Sequence, residues 1–143
     1  MEYQTITIDY SKSLAEMIEG GEYDLVNKRL LSGIFPTNRS GLITLETKIF
    51  DREREFERYW NVTKLRFRPA TIEELVVYTS RKLYIEYSAG LVALGSSTRV
   101  NALPFVAHYR EYRFERSVGL FSANFGYEPE TKFLGVREVQ PKS

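Results

Sequence analysis

Phe105-Val106-Ala107-His108-Tyr109-Arg110-Glu111-Tyr112-Arg113-Phe114-Glu115-Arg116 interleaves aromatic rings with guanidinium groups and contains the chain's one histidine. Read with a period of two, one face carries Phe105, Ala107, Tyr109, Glu111, Arg113 and Glu115. The other carries Val106, His108, Arg110, Tyr112, Phe114 and Arg116. Strict alternation of this kind is the pattern of a strand. Here the strand has one buried side at its start and a guanidinium-rich surface at its end. It marks a place where something binds, not a reaction centre.

Outward from this stretch, residues 84–87, 91–94, 103–114, 117–124 and 132–139 read as strands. They are punctuated by Gly90, Gly95, Asn101, Gly119, Gly126 and Pro129. The first half has a different character. Residues 3–8 alternate as a short strand, and Leu42–Phe50 forms a longer one in which Ile43, Leu45, Thr47 and Ile49 share a face. Ser13 with Glu16 and Thr71 with Glu74 have capping-box spacing. The first box opens a helix bearing Leu14, Met17 and Ile18, closed by Gly20-Gly21. The second opens a helix with Ile72, Leu75, Val76 and Tyr78 or Thr79 along its stripe. Asp51 is positioned to cap a third helix, with Phe56, Tyr59 and Trp60 on one side. Residues 22–35 read as a connector.

Short turns between strands imply antiparallel pairing, because a parallel crossover takes a dozen or more residues. The expected fold is α+β. It is an antiparallel sheet with two or three helices, mostly from the N-terminal half, packed on one face. No repeat or linker divides the chain, so residues 1–143 are expected to form a single domain.

Composition narrows the chemistry. The formal net charge of +1 lacks the basic excess that generic attraction to a nucleic-acid backbone uses. Arg outnumbers Lys thirteen to seven, which favours planar, ring-stacking cation contacts. Only three of nineteen acids are Asp, a poor supply for hard-cation loops. With no Cys, disulfides, thiolate catalysis, zinc–thiolate sites and iron–sulfur clusters are excluded. Residues 1–9 are polar and acidic, with no secretory pattern, and no run approaches the roughly 18 apolar residues that span a bilayer. A cytoplasmic protein with no membrane partner is expected.

Several blocks together resemble a group of short bacterial proteins to which no activity is assigned. They are Tyr23-Asp24-Leu25-Val26-Asn27, Phe35-Pro36, Arg68-Pro69-Ala70-Thr71-Ile72-Glu73-Glu74-Leu75, Val92-Ala93-Leu94-Gly95-Ser96 and Lys132-Phe133-Leu134-Gly135-Val136-Arg137. The resemblance implies one compact domain and no particular chemistry. Arg68-Pro69-Ala70-Thr71 and the closing strand are more weakly similar to the C-type-lectin-like, sulfatase-modifying-factor fold. That family's Trp-rich motif and catalytic cysteines are absent, so its oxidase chemistry is not carried over.

The catalytic inventory is thin. A Ser–His–acid triad would have to use His108, yet Ser96, Ser97, Ser117 and Ser122 sit in no nucleophile-elbow pattern. One His with scattered Glu does not make a zinc site. Gly90 to Ser97 has the glycine spacing of a phosphate loop, but Ser96 stands where the lysine belongs. Glu73 and Glu74 are adjacent and would point apart on a helix. Glu111 and Glu115 are explained by ion pairing beside Arg113. No cofactor and no metal are expected.

What remains is the candidate binding set Arg99, His108, Tyr109, Arg110, Tyr112, Arg113, Phe114 and Arg116. Tyr and Arg are enriched at protein contact surfaces. The expected function is a small non-catalytic interaction domain that self-associates, or binds another protein, through this sheet surface. Two alternatives use the same residue types. One is a single-stranded nucleic-acid-binding module, with bases on rings and phosphates on guanidiniums. The other is a small enzyme working through carboxylates, Tyr and Arg on a pocket-bound substrate.

Overall fold

A computed structural model of the chain describes residues 4–32, 39–52, 67–81, 89–100, 103–122 and 127–139, without the side chains at 32, 99 and 100. In chain order the elements are β1 (Gln4–Asp9), α1 (Leu14–Gly21), β2 (Leu25–Val26), a 3-10 turn (Lys28–Ser32), β3 (Leu42–Phe50), β4 (Arg68–Pro69), α2 (Ile72–Ser80), β5 (Leu91–Val100), β6 (Leu103–Tyr112), β7 (Glu115–Ser122) and β8 (Lys132–Glu138). The expected third helix and the strand over 84–87 lie outside the described residues.

Both capping boxes form. Ser13 Oγ accepts from the Glu16 amide at 3.1 Å while the Ser13 amide donates to Glu16 Oε1 at 3.0 Å. At α2, Thr71 and Glu74 exchange the same two bonds at 3.4 and 2.7 Å. Each box satisfies two of the amides a helix start leaves open. The end of α1 differs from its expected form. Glu22, not a glycine, takes the left-handed cap at φ 53. Gly21 serves packing instead, since a Cβ there would overlap the Tyr23 ring.

The eight strands form one mixed sheet in the order β1-β3-β8-β5-β6-β7-β2, with β4 also pairing β8. Antiparallel pairing dominates, but β5–β8 and β2–β7 are parallel. Short turns account for the antiparallel pairs β5–β6 and β6–β7, while strands distant in sequence pair both ways: β3–β8 is antiparallel, β5–β8 and β2–β7 are parallel. β8 follows β7 in the chain yet inserts between β3 and β5, and β2 reaches β7 from the far end of the chain.

Alternation along the strands separates two apolar clusters. Leu91 and Ala93 join Ile6, Ile8, Leu45, Ala107, Tyr109, Val118, Leu134 and Val136 in a core shared with Met17 and Ile18 of α1 and Ile72, Leu75 and Val76 of α2. We call this the inner face. Val92, Val106 and Phe133 join Phe50 and Phe67 on the outer face, with Leu94, Phe121 and Tyr127 against them. Each fully buried aliphatic side chain contributes roughly 1.5–3 kcal/mol, so the inner cluster is the principal source of stability.

Close backbone approach fixes one more feature. The register of β5 shifts between Ala93 and Ser97. At that irregularity the Gly95 amide donates to the Ala70 carbonyl at 2.8 Å. A Cβ at Gly95 would stand 2.6 Å from the Pro69 carbonyl oxygen and 2.7 Å from that of Ala70. Next to it, Ser96 Oγ accepts from the Ile72 amide at 2.8 Å. The glycine spacing read as a failed phosphate loop is thus a docking point for the start of α2.

Candidate functional site

The stretch 105–116 is a hairpin, not one continuous strand. β6 and β7 pair through Glu111↔Arg116 and Tyr112↔Glu115, leaving Arg113 and Phe114 as a two-residue turn. Both turn residues have positive φ, 50 and 67 respectively. Twisted strands joined by two residues favour this primed-turn backbone, which normally selects Asn and Gly. The turn also corrects the period-two reading. Cross-strand partners share a face, so Arg116 lies with Tyr109 and Glu111, and Glu115 lies with Tyr112.

The inner half of the candidate set is built into the fold. Tyr109 is 2% exposed, and its hydroxyl donates to Glu111 Oε1 at 2.6 Å. Arg116 Nε donates to Tyr109 Oη at 3.1 Å and lies 3.9 Å from Glu111 Oε1. Its remaining nitrogens donate to the Gly21 carbonyl at 2.6 Å and to the Thr79 carbonyl, so one guanidinium ties the ends of α1 and α2 to the hairpin. It also lies over the Tyr23 ring at 4.7 Å. Tyr23 in turn donates to the Val76 carbonyl at 2.7 Å and meets Thr79 Oγ1 at 2.6 Å. Burial pushes the Tyr23 hydroxyl up to about 12 and raises that of Tyr109, assisted there by Glu111. These phenols stay neutral as hydrogen-bond donors. Glu111 meets Tyr109 and Arg116 here, not Arg113 as expected from a single strand.

The outer half meets solvent at the tip. Phe114 is 79% exposed and Tyr112 53%. Arg110 and Arg113 are exposed, and the Arg113 guanidinium stands 5.2 Å from the centroid of the Tyr112 ring. Leu25 of β2 joins them. It is exposed, and it pairs Ser117, which pairs Arg110, so the three form one cross-strand row. Leu25 sat in the segment read as a connector, because two paired residues are too few to generate a periodic signal.

His108 occupies the outer face but is only partly exposed, 5.8 Å from the Phe121 ring. Burial, with Arg110 nearby, lowers its pKa to about 4, so the imidazole is neutral at physiological pH. Arg99, on β5, pairs Pro104 of β6. Its side chain lies outside the described residues. The structure thus brings Arg110, Tyr112, Arg113 and Phe114 together with Leu25 and turns Tyr109 and Arg116 to the opposite face.

This surface presents cations and rings, with the Glu115 carboxylate opposite Tyr112. Among the described residues no group of three or more His, Asp or Glu could hold a metal ion, and no helix is long and apolar enough to cross a membrane. No protein-family model, curated protein or solved structure matches the chain.

Proposed function

We propose that this chain is a non-catalytic interaction domain that self-associates through the outer surface of its β6–β7 hairpin. The observation that carries this reading is Phe114, a large apolar ring 79% exposed on a left-handed backbone. A phenylalanine there costs conformational energy of order 1–2 kcal/mol that asparagine or glycine would avoid. Strain retained at an exposed aromatic residue points to contact. The helices belong to the inner face in this reading, which leaves the hairpin's other face for a partner.

The patch suits a second copy of the chain. A two-fold interface must be complementary to itself. Arg110 and Arg113 supply cations, Glu115 an anion, and Tyr112, Phe114 and Leu25 apolar area, so each class finds its complement on a rotated copy. Glu115, paired with Tyr112, opposes a polyanionic nucleic-acid strand at the same place.

Sedimentation at micromolar concentration tests the reading. A dimer is expected, weakened tenfold or more by Tyr112→Ala or Arg113→Ala, equivalent to about 1.4 kcal/mol or more. A strict monomer would remove the proposal. Salt-sensitive binding of single-stranded DNA or RNA by that monomer would install the nucleic-acid reading instead.

A further inference from the structure

Among the described residues, β1 has a strand on one side only, and it ends the strand order on the side away from the hairpin. The Tyr10 amide donates to the Gly41 carbonyl at 2.9 Å, in the register that pairs Ile8 with Ile43 and Asp9 with Leu42. Directly opposed residues of an antiparallel ladder alternate between exchanging hydrogen bonds and turning their backbone groups the other way. Tyr10, Ile8, Ile6 and Gln4 therefore bond toward β3, and Thr5, Thr7 and Asp9 aim their amides and carbonyls outward. β3 keeps the same phase: Thr44, opposite Thr7, turns its carbonyl to the Val139 amide at 3.4 Å.

Both ends of this outward row are capped from within the chain. The Lys12 amide donates to the Asp9 carbonyl at 3.1 Å. Ser11 closes the same turn, donating its amide and hydroxyl to Asp9 Oδ1 at 3.0 and 2.6 Å. At the other end, Arg81 Nη1 donates to the Thr5 carbonyl at 2.8 Å. The two caps differ in kind. The turn at Asp9 is local and comes with the chain's direction there. Arg81 is an exposed residue just beyond α2, 76 positions along the sequence, whose side chain reaches back to the strand. Its guanidinium occupies the carbonyl that an added strand would use and sets a charge in that strand's path. Charged side chains on an edge are one way native sheets avoid pairing with other chains.

Between the caps, Thr7 is exposed and turns both of its backbone groups outward. The strand that fits this edge is β1 of a second copy. Antiparallel pairing about Thr7 sets Thr7 against Thr7, Ile6 against Ile8 and Thr5 against Asp9. Aliphatic side chains then meet on the inner face, where Ile6 and Ile8 already belong to the core. That pairing requires the Thr5 carbonyl to accept from the Asp9 amide of the other copy, at the place the Arg81 guanidinium holds. We infer that Arg81 guards the outer edge of β1 and keeps it closed against the same strand of a second copy. The guard acts toward the opposite end of the sheet from the hairpin, so it does not depend on the hairpin contact.

The test uses the full chain carrying Tyr112→Ala, so that hairpin association does not mask pairing at the edge. Adding Arg81→Ala is expected to raise self-association in sedimentation by roughly tenfold or more, the worth of one charge-assisted hydrogen bond removed from the competing cap. Charge then reads the register. Thr7→Lys or Thr7→Glu added to that chain sets like charges opposite each other and should restore the monomer, whereas an equimolar mixture of the two should assemble. Circular dichroism reports whether each variant folds; if Arg81→Ala does not, Arg81→Gln removes the charge with less loss of side chain and carries the same expectation. Association unchanged in the folded variant overturns the inference. So does assembly that Thr7→Lys leaves intact, which would use another surface, and so does a Lys and Glu mixture that stays monomeric. Pairing already present before Arg81 is changed, and lost with Thr7→Lys, would show that the guard does not close the edge.

Discussion

Arg116 donates through Nε to the hydroxyl of Tyr109, seven residues back and diagonally across the hairpin, at 3.1 Å. That bond closes a chain from Glu111 through Tyr109 and Arg116 to the carbonyl ends of both helices. The Arg116 side chain is only 11% exposed. Its removal would strand Glu111, which is also buried, and two helix-end carbonyls. Arg116→Ala should therefore destabilise the fold by about 3 kcal/mol, read from urea unfolding. Arg116→Lys should recover little of this, since an ammonium cannot reproduce the fork. A loss below about 1 kcal/mol would mean that water replaces the clamp.

Gly95 makes an independent prediction about packing. Its Cβ position is occupied by backbone oxygens of Pro69 and Ala70, and backbone does not swing aside as a side chain does. Gly95→Ala should cost about 2–3 kcal/mol through overpacking and loss of the Ala70 bond. Ser96→Ala, which removes only the acceptor for the Ile72 amide, should cost about 1 kcal/mol. Equal losses for the two would show that the bulge relaxes freely.

The two helix starts were legible in the sequence because a capping box is local: Ser13 with Glu16, and Thr71 with Glu74, contain their own partners. Leu42–Phe50 was legible because alternation over nine residues is unambiguous. The parallel pairing of β5 with β8 was not, since nothing near Leu91 or Lys132 encodes their proximity. The hairpin was hidden for a chemical reason. Arg113 and Phe114 carry none of the Asn or Gly that announces a primed turn. Reading through them placed Arg116 on the wrong face, and with it a structural residue among the binding candidates. Glu73 and Glu74 were set aside because adjacent helical residues diverge; tertiary packing buries both.

The pH dependence of stability should carry the signature of His108. Its folded pKa of about 4 lies below the ordinary value of about 6.5, so the unfolded chain takes up the proton first. Stability from this group is complete above pH 6.5 and falls as pH drops toward 4, by about 2 kcal/mol after allowance for partial exposure. Glu73 acts in the opposite sense. Its raised pKa lets the folded state bind the proton first, which favours folding on acidification. His108→Phe, which keeps a ring beside Phe121, should flatten the acid-side loss. Unfolding free energies of both proteins between pH 7 and 4 decide the matter, and parallel curves would show that His108 titrates normally.

In the proposed interface the hairpin tip sets stability against association. The φ values of Arg113 and Phe114, 50 and 67, are those that asparagine and glycine adopt at least cost. The double change Arg113→Asn/Phe114→Gly should raise stability by about 1 kcal/mol or more, because it relieves two left-handed side-chain conformations. It also removes the most exposed ring among the described residues and the cation over Tyr112, so the proposed dimer should weaken tenfold or more in sedimentation. Paired measurement makes the outcome specific. Higher stability with unchanged assembly would move the interface away from the tip. Lower stability would mean that the ring and guanidinium contribute packing to their own chain, and the strain would need no partner to account for it. Higher stability with lost association is the expected result, because it separates a residue kept for contact from one kept for folding.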